Sequence, residues 1–259
     1  MIKFSIITCT YNAAKEVGRT LDSVLAQTYH HVEHLIIDGA SKDATMQLVR
    51  AYERESEEAE NDHELVVISE ADSGLYDAMN KGIGMAKGDY VVFLNAGDVF
   101  PSPDTLELIA GSVGDGEALP GVLYGDTDIV DNAGRFLRHR RLAPPPEGLS
   151  WRSFSEGMLV CHQAFVARRD LAPHYDLKYR FSADFDWCIR VLQQSPVNVY
   201  AGDHPIISFL TDGLTSKYHR TSLMERYRIM CHYYGTCSTI AHHLMFIPRY
   251  LKRRFANSK

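Results

Sequence analysis

Strand and helix patterns alternate through the first hundred residues, and this alternation limits the folds open to the chain more than any other feature. Short apolar runs rich in β-branched residues predict strands that are buried on both faces. The predicted strands cover residues 3–10, 32–37, 65–69 and 90–94, and the helical patterns between them begin near residues 17, 46 and 78. Repeated strand–helix units of this length predict an α/β fold with a mostly parallel sheet and helices on both of its faces.

The pattern changes after about residue 115. A hairpin is predicted around residues 131–134, and the prolines at 144–146 predict a loop. Strand patterns follow at 161–168, 197–201 and 206–210, a helix is predicted from about Asp184 to Leu192, and helical patterns dominate from Ser222 onward. We therefore predict a domain over residues 1–220, made of the halves 1–113 and 114–220, and a C-terminal helical appendage over residues 221–259.

Composition excludes several classes of protein. The net charge of −6 argues against a general nucleic-acid-binding protein, because such proteins displace counterions with a basic surface. The five cysteines are scattered and form no CxxC pair, which favours reduced thiols over a disulfide framework. The N-terminus lacks the long apolar region of a signal peptide, and no apolar run of about eighteen residues could span a bilayer. We expect a cytoplasmic protein.

Polar residues are concentrated at the carboxyl ends of the first four predicted strands, where open α/β sheets bind their ligands. Singly, each residue has a structural alternative, such as a turn at Asp38 or a helix cap at Ser41 or Asp43. Polar residues that recur at four successive strand ends favour a binding site instead. The residues are Thr8, Thr10, Tyr11 and Asn12 after the first strand, Asp38, Ser41 and Asp43 after the second, Glu70, Asp72, Tyr76 and Asp77 after the third, and Asn95, Gly97 and Asp98 after the fourth.

Carboxylates in such positions suit two tasks. They hydrogen-bond the base and ribose of a nucleotide, or they hold Mg²⁺ or Mn²⁺ against a diphosphate. Neither a Walker motif nor a GxGxxG loop after a strand is present, and the glycines within residues 82–88 precede a strand and have a different spacing. We therefore expect the charge of a diphosphate to be met by a metal ion and basic side chains.

Three segments together carry a specific resemblance. KFSIITCTYN, LIIDGASKDAT and SEADSGLYDAMNKGIGMAKGDYVVFLNAGD follow one another in the first hundred residues. In this order they resemble the inverting family 2 glycosyltransferases of the GT-A fold, especially those that build colanic acid and other bacterial surface polysaccharides. The match is close over about the first 100 residues and loose over the remainder. It implies a GT-A, Rossmann-like sheet in which residues 1–113 bind a nucleotide sugar and residues 114–220 complete an acceptor site.

The resemblance also implies roles for single residues. It implies that Thr10 and Asn12 line the nucleotide pocket, that Asp38 contacts the base or ribose, and that Asp72 and Lys81 flank the nucleotide and diphosphate. It further implies that Asp98 ligates Mn²⁺ or Mg²⁺.

The chain departs from the family pattern in the turn that contains Asp98. Many members carry aspartates where this chain has Asn95 and Gly97, which leaves Asp98 as the one carboxylate there. Asn95 can still hydrogen-bond a ribose hydroxyl or the water shell of a metal.

The second half of the chain is expected to supply a general base, which takes the proton of the attacking acceptor hydroxyl. By resemblance to the Glu-Asp element of the family, Asp184 is the catalytic base. The alternative is that Asp184 or Asp186 caps a helix, where a carboxylate complements the helix dipole; we assign that supporting role to Asp186.

Three further residues are expected to line the donor and acceptor sites. Cys161-His162-Gln163 resembles a family strand in that position, although His162 could equally be a structural histidine. Trp187 could stack on an acceptor sugar, and its helical spacing also suits a core residue.

The end of the chain combines basic and apolar residues, as in IPRYLKRRF. Such a helix could lie on an anionic membrane leaflet, or dock on the domain with a frayed basic end.

The implied reaction is the inverting, metal-assisted transfer of a sugar from a nucleotide diphosphate, foremost UDP, to a hydroxyl of a polysaccharide or polyprenyl-linked saccharide. One alternative is a sugar-phosphate nucleotidyltransferase, which would want a Gly-rich basic loop that SIITCTYNAAKE lacks. Another is a catalytically silent sugar-binding or assembly protein. The sugar, the acceptor, the linkage and the oligomeric state are left open.

Overall fold

The computed structural model describes residues 1–59, 61–114, 116, 118–202, 204–211 and 219–244. The strands are β1 (Phe4–Thr10), β2 (Val32–Asp38), β3 (Glu64–Ser69), β4 (Tyr90–Phe93), β5 (Val122–Tyr124), β6 (Thr127–Val130), β7 (Phe136–His139), β8 (Phe165–Arg168), β9 (Asn198–Tyr200) and β10 (Ile207–Leu210). The α-helices are α1 (Val17–Leu25), α2 (Thr45–Glu58), α3 (Leu75–Met85), α4 (Thr105–Gly111), α5 (Ala183–Gln194) and α6 (His219–Tyr234). Residues 236–244 are also helical.

The central sheet has seven strands in the order β3-β2-β1-β4-β8-β5-β9. Strands β1 to β4 pair in parallel, and so do β5 and β9, whereas β8 runs antiparallel to both of its neighbours. A second sheet has the order β10-β6-β7. The predicted α/β class with a mostly parallel sheet is confirmed.

Helices cover both faces of the central sheet around β1 and β2, which explains why these strands are apolar. Every residue of β1 and β2 is buried. Ile36 packs in a cluster with α1 and α2, whereas Leu35 and Ile37 belong to the cluster that contains α3. Successive strand residues point to opposite faces, so the two clusters lie on the two sides of the sheet. Each fully buried aliphatic side chain contributes roughly 1.5–3 kcal/mol.

Gly82 lets α3 lie close to β1. A Cβ atom at this position would come 2.5 Å from Ile7 Cγ2. Any larger residue would displace Ile7 from the core. Gly82 therefore serves helix–sheet packing, in agreement with the rejection of a phosphate loop there.

The second half differs from the predicted elements in two places. The predicted strand over 161–168 begins with a 3-10 turn at His162–Ala164, and only Phe165–Arg168 pairs in the sheet. The predicted hairpin is formed by β6 and β7 alone, because β5 pairs in the central sheet instead. Which strand β5 pairs with depends on strands that are distant in the chain, and the local sequence pattern does not contain that information.

Helix α6 packs on the rest of the molecule. Its Ile229 and Met230 are buried in the core cluster that contains α5. The division at residue 220 stays a prediction, and the basic segment over residues 245–259 lies outside the described residues. Within the described ranges, no helix is long and apolar enough to cross a membrane.

Candidate active site

The loops after β1 and β2 are joined by hydrogen bonds. The Asn12 backbone NH donates to Ser41 Oγ at 2.8 Å, and Asn12 Oδ1 accepts from the Lys42 NH at 2.9 Å. Asn12 and Ala40 both have left-handed backbones, with φ of 48° and 59°. Residues with a Cβ atom hold this conformation at a cost of about 1–3 kcal/mol, and such strain is concentrated at functional sites. The carboxamide of Asn12 therefore holds the β2–α2 loop in place.

Asp38 ends β2 and is completely buried. Its Oδ2 accepts from the Ser41 NH at 2.9 Å and from Ser69 Oγ at 2.6 Å, and its Oδ1 accepts from Ser41 Oγ. These donors satisfy the buried carboxylate and fix its orientation. The structure thus places Asp38 at the predicted strand end, tied to the ends of β2 and β3.

Asp72 lies across from the β2 loop, and an aromatic ring lies beside it. A Cβ atom at Gly39 would come 2.5 Å from Asp72 Oδ2 and 3.3 Å from Tyr11 Cδ2, so only glycine permits this close approach. The Tyr11 side chain is 63% exposed. An exposed ring beside carboxylates suits the planar base of a nucleotide. The sequence marked Tyr11 as a strand-end residue without assigning it this role.

Lys81 reaches from α3 back to the loop after β3. Its Nζ donates to the Ala71 carbonyl at 3.0 Å and pairs with Glu70 Oε1 at 2.8 Å. The hydrogen bond to Glu70 raises the pKa of Lys81. The lysine therefore lies in the predicted region, with its charge matched by a carboxylate that the sequence did not assign to it.

The turn after β4 explains one departure from the family pattern. Gly97 has a φ of 102°, and a Cβ atom there would come 2.5 Å from Leu210 Cδ2. Its NH donates to Thr20 Oγ1 at 2.8 Å. An aspartate at position 97 would therefore be strained and would collide with β10.

Asp98 follows in the same turn and is 4% exposed. Its Oδ1 accepts from the Leu210 NH at 2.9 Å. Burial raises the pKa of Asp98 to about 7, although hydrogen bonds from Leu210 and Gln163 oppose the shift. Gln163 in turn accepts from Cys161 Sγ at 3.1 Å and is itself buried. Gln163 thus lies beside Asp98, and its expected role in lining the donor or acceptor site stays a prediction.

The oxygen atoms near this turn fit a hard divalent cation. Thr10 Oγ1 and Asn95 Oδ1 are buried and have no hydrogen-bond partner in the described part of the chain. That part contains no cluster of three or more His, Cys, Asp or Glu side chains able to hold a metal. Mg²⁺ is commonly bound through one or two carboxylates plus substrate phosphates, so Asp98 and Asn95 meet the minimum donor set.

Asp184 lies in the first turn of α5 and is partly exposed. Its Oδ1 accepts from Tyr76 Oη at 3.2 Å and from the Phe185 NH at 2.9 Å. Tyr76 belongs to the first turn of α3, directly after the Asp72 loop. This contact brings a carboxylate of residues 114–220 to the strand ends of residues 1–113.

Asp186 lies two residues further along the same helix. It is buried, its Oδ2 accepts from Arg190 Nε at 2.8 Å, and its Oδ1 accepts from Tyr233 Oη at 2.9 Å. Asp186 therefore joins α5 to α6, and this position suits the supporting role expected from the sequence.

Trp187 and His162 are core residues, which corrects their expected roles at the acceptor site. Trp187 is completely buried, and its Nε1 donates to the Pro173 carbonyl at 2.7 Å. No ring surface is left to stack on a sugar. His162 is also buried, its Nε2 lies 2.6 Å from Tyr175 Oη, and burial lowers its pKa to about 4. His162 is therefore a structural histidine and Trp187 a core residue, the alternatives that the sequence left open.

Sequence comparison connects the chain to a family and to relatives with assigned names. The sequence model described as "Glycosyl transferase family 2" matches residues 5–174. A PGL/p-HBAD biosynthesis glycosyltransferase of Mycobacterium tuberculosis is 33% identical over 194 residues, which cover 72% of this chain and 68% of the relative. The amylovoran biosynthesis glycosyltransferase AmsB of Erwinia amylovora is 32% identical over 200 residues, covering 73% of this chain and 64% of the relative.

Solved structures share the fold at low sequence identity. Residues 1–349 of S. aureus TarS in complex with UDP-GlcNAc superpose with a TM-score of 0.67 at 18% identity, covering 88% of this chain and 64% of that chain. The mannosyltransferase PcManGT from Pyrobaculum calidifontis, in complex with GDP-Man and Mn²⁺, gives a TM-score of 0.59 at 17% identity, covering 93% and 74%. From its sequence and its GT-A architecture, the chain belongs to glycosyl transferase family 2.

Proposed function

We propose that this protein transfers a sugar from a nucleoside diphosphate, with UDP as the nucleotide, to a hydroxyl of a saccharide acceptor, and that it inverts the anomeric carbon. The observation that carries the proposal is the contact between Tyr76 and Asp184 at 3.2 Å. It ties a partly exposed carboxylate to the start of α3, which directly follows the loop that holds Asp72. This link supports one site for the proposed base and the proposed nucleotide pocket.

The donor would bind across the ends of β1, β2 and β3. Tyr11 offers a ring face for the base, and Asp38 and Asp72 offer acceptors for base and ribose donors. The buried Asp38 would act from a fixed position, because three donors already hold it. Thr10, Asn12 and Lys81 complete the proposed pocket, Asn12 through the loop that it holds. The choice of UDP agrees with the UDP-GlcNAc bound by TarS, whereas PcManGT binds GDP-Man.

Asp184 would act as the general base. The acceptor hydroxyl attacks the anomeric carbon from the face opposite the diphosphate, and its proton moves to the Asp184 carboxylate. The bond from the anomeric carbon to the diphosphate oxygen breaks, and the nucleoside diphosphate leaves with that electron pair. One displacement of this kind inverts the configuration. A positioned base contributes about 10²–10⁴-fold to such a rate.

Mn²⁺ or Mg²⁺ would be held by Asp98 and the Asn95 oxygen together with the diphosphate. When bound, the ion would supply charge neutralisation for the departing diphosphate. The burial that raises the pKa of Asp98 to about 7 makes its charged form costly, and a cation beside it would offset that cost.

The acceptor would be a polysaccharide or a polyprenyl-linked saccharide. Support comes from the relatives named for amylovoran and for PGL/p-HBAD biosynthesis. A polyprenyl-linked acceptor would place the enzyme at the inner face of the plasma membrane, with the segment over residues 245–259 as its peripheral contact.

The test is UDP release from a panel of UDP-sugars, measured with and without a saccharide acceptor and Mn²⁺. Acceptor-stimulated UDP release, with a product of opposite anomeric configuration by NMR, is expected. Release of pyrophosphate from UTP and a sugar phosphate would instead indicate a nucleotidyltransferase. Binding of a UDP-sugar without turnover across the panel would indicate a silent binding protein.

A further inference from the structure

The hydrogen bond between Tyr76 and Asp184 joins residues that are 108 positions apart in the chain. Tyr76 lies at the start of α3 and Asp184 at the start of α5. The remaining contact of the Asp184 Oδ1 atom is the NH of the next residue, Phe185. Among the described residues, Tyr76 is therefore a side chain by which the first half of the domain hydrogen-bonds this carboxylate.

The phenol of Tyr76 acts as a donor in this pair. Burial raises its pKa well above the ordinary value for tyrosine, and the nearby charge of Asp184 raises it further. The hydroxyl therefore stays protonated at neutral pH and donates to the carboxylate oxygen. A donor to a carboxylate favours its charged form, which is the form that can accept a proton.

The ring of Tyr76 is one of three aromatic side chains that stack on one another. Tyr76 stacks on Tyr175 with centroids 5.3 Å apart, and Tyr175 stacks on Trp187 at 5.2 Å. Trp187 lies on α5, one helical turn beyond Asp184. Asn80 of α3 also exchanges two hydrogen bonds with the Tyr175 backbone, at 2.6 and 3.1 Å. The phenol and the carboxylate thus belong to one packed unit that fixes their relative position.

We propose that Tyr76 is a positioning residue that holds the Asp184 carboxylate in one orientation for proton transfer. The proposal rests on the proposed function, in which Asp184 is the base. It gives the buried Trp187 and Tyr175 a role as the scaffold of that base. It also explains how helices from the two halves are brought into one site.

The ionisable groups around Asp184 keep a constant charge between about pH 5 and pH 8. His162 is neutral above about pH 5, since burial lowers its pKa to about 4. Burial raises the pKa values of Tyr175 and Cys188 above their ordinary range, and both stay neutral up to about pH 9. The arginines keep their charge throughout. The titratable and charged groups that face Asp184 and its partner are Tyr76, Arg140, His162, Tyr175, Cys188 and Arg226.

The first experiment needs no substrate. The Asp184 carboxyl carbon is followed by NMR from pH 3 to pH 8 in protein labelled with ¹³C at aspartate, and its signal is identified by its loss in Asp184→Asn. In Tyr76→Phe, the titration midpoint should rise by about one pH unit relative to the wild type, because a hydrogen bond to a charged group is lost. An unchanged midpoint would overturn the proposal.

Tyr90→Phe is the matched control. Its hydroxyl is also removed from a buried site, where it donates to the Pro120 carbonyl at 2.6 Å. Tyr90 pairs with Phe4 at the amino end of the sheet, away from the strand ends of the site. The Asp184 midpoint should be the same in Tyr90→Phe and in the wild type. Equal shifts in both variants would indicate a general loss of packing and would overturn the specific role of Tyr76.

The second experiment uses UDP release from the UDP-sugar that the panel identifies. Tyr76→Phe should lower kcat roughly tenfold, leave the donor KM unchanged and move the acidic limb of the kcat profile to higher pH. The wild type and Tyr76→Phe both contain Asp98, so its titration affects both kcat profiles equally. The difference between the two profiles therefore reports the loss of the Tyr76 hydroxyl. In an Asp184→Asn background, Tyr76→Phe should lower kcat no further. Wild-type turnover by Asp184→Asn would overturn the proposed base and the Tyr76 role together. An inactive Asp184→Asn with wild-type kinetics in Tyr76→Phe would overturn the Tyr76 role alone.

Discussion

The proposed donor side and the proposed acceptor side of the site hold their carboxylates in different ways. Asp38 and Asp98 are buried and receive hydrogen bonds from serine hydroxyls, a glutamine and backbone NH groups. Asp184 is partly exposed and is held by the NH of its neighbour and by one phenol from another helix.

This difference matches what each task requires. A binding pocket gains affinity from groups that are rigid before the ligand arrives, because less ordering is needed on binding. A general base must meet an acceptor hydroxyl and keep an oxygen open to it. The comparison predicts that changes at Asp184 act on rate and that changes at Asp38 act on affinity.

The largest expected effect is at Asp184. Asp184→Asn keeps the shape of the side chain and removes the basic oxygen, so kcat should fall by about 10²–10⁴-fold while UDP affinity stays nearly intact. Steady-state kinetics and calorimetry with UDP measure the two quantities separately.

Asp186→Asn is the control for that experiment. It weakens the contacts with Arg190 and Tyr233, so it should act on the melting temperature, with a free-energy cost on the order of 1 kcal/mol. If Asp186→Asn abolishes turnover in a stable protein while Asp184→Asn remains active, the base has been assigned to the wrong carboxylate.

The next largest effect is expected at Asp38. Asp38→Ala should weaken UDP binding by roughly 1–3 kcal/mol, the range for a lost partner at a buried polar group. Calorimetry with UDP measures this, and the melting temperature shows that the variant is folded. Asp22→Ala, on the exposed surface of α1, should bind UDP as the wild type does. Wild-type affinity in a folded Asp38→Ala would contradict the proposed nucleotide contact.

A smaller effect is expected from the titration of Asp98. Burial raises its pKa from 3.8 to about 7, so between those values the folded protein keeps a proton that the unfolded chain has released. Its contribution to stability therefore falls as the pH rises through this window. The melting temperature of the wild type should fall from pH 5 to pH 8 relative to that of Asp98→Asn.

The wild type and Asp98→Asn also test whether Asp98 is a metal ligand. Mn²⁺ with UDP at pH 8 should raise the melting temperature of the wild type more than that of Asp98→Asn, because a bound cation stabilises the charged carboxylate. An equal rise in both proteins would show that Asp98 is not a ligand. Wild-type activity that is indifferent to EDTA would show that side chains alone neutralise the diphosphate.

The smallest expected effect concerns the end of the chain. Truncation after Ile247 should shift the protein from anionic liposomes to the supernatant in a sedimentation assay, and more so at low salt. Liposomes of neutral lipid provide the control. Equal sedimentation of the full-length and truncated chains would assign the segment a structural role instead.

Local patterns predicted the strands of the first half of the domain correctly. The strands from β1 to β4 follow from their apolar runs, Asp38 lies at the end of β2, and Asp98 lies in the turn after β4. The second half of the domain was less predictable. His162 and Trp187 were expected to line a site, yet both are buried. Their spacing suits both roles, and the packing of Tyr175 and Phe93 against these two rings decides between them.

The sequence by itself determined the order of strands and helices from β1 to β4, the α/β class and the carboxylates that follow these strands, because each depends on periodicity within a short segment. The tertiary structure decided three other features. It inserts β8 antiparallel between β4 and β5, it places Leu210 where a side chain at position 97 would lie, and it brings Tyr76 to Asp184. Each of these joins segments far apart in the chain, and such contacts depend on how the whole core packs.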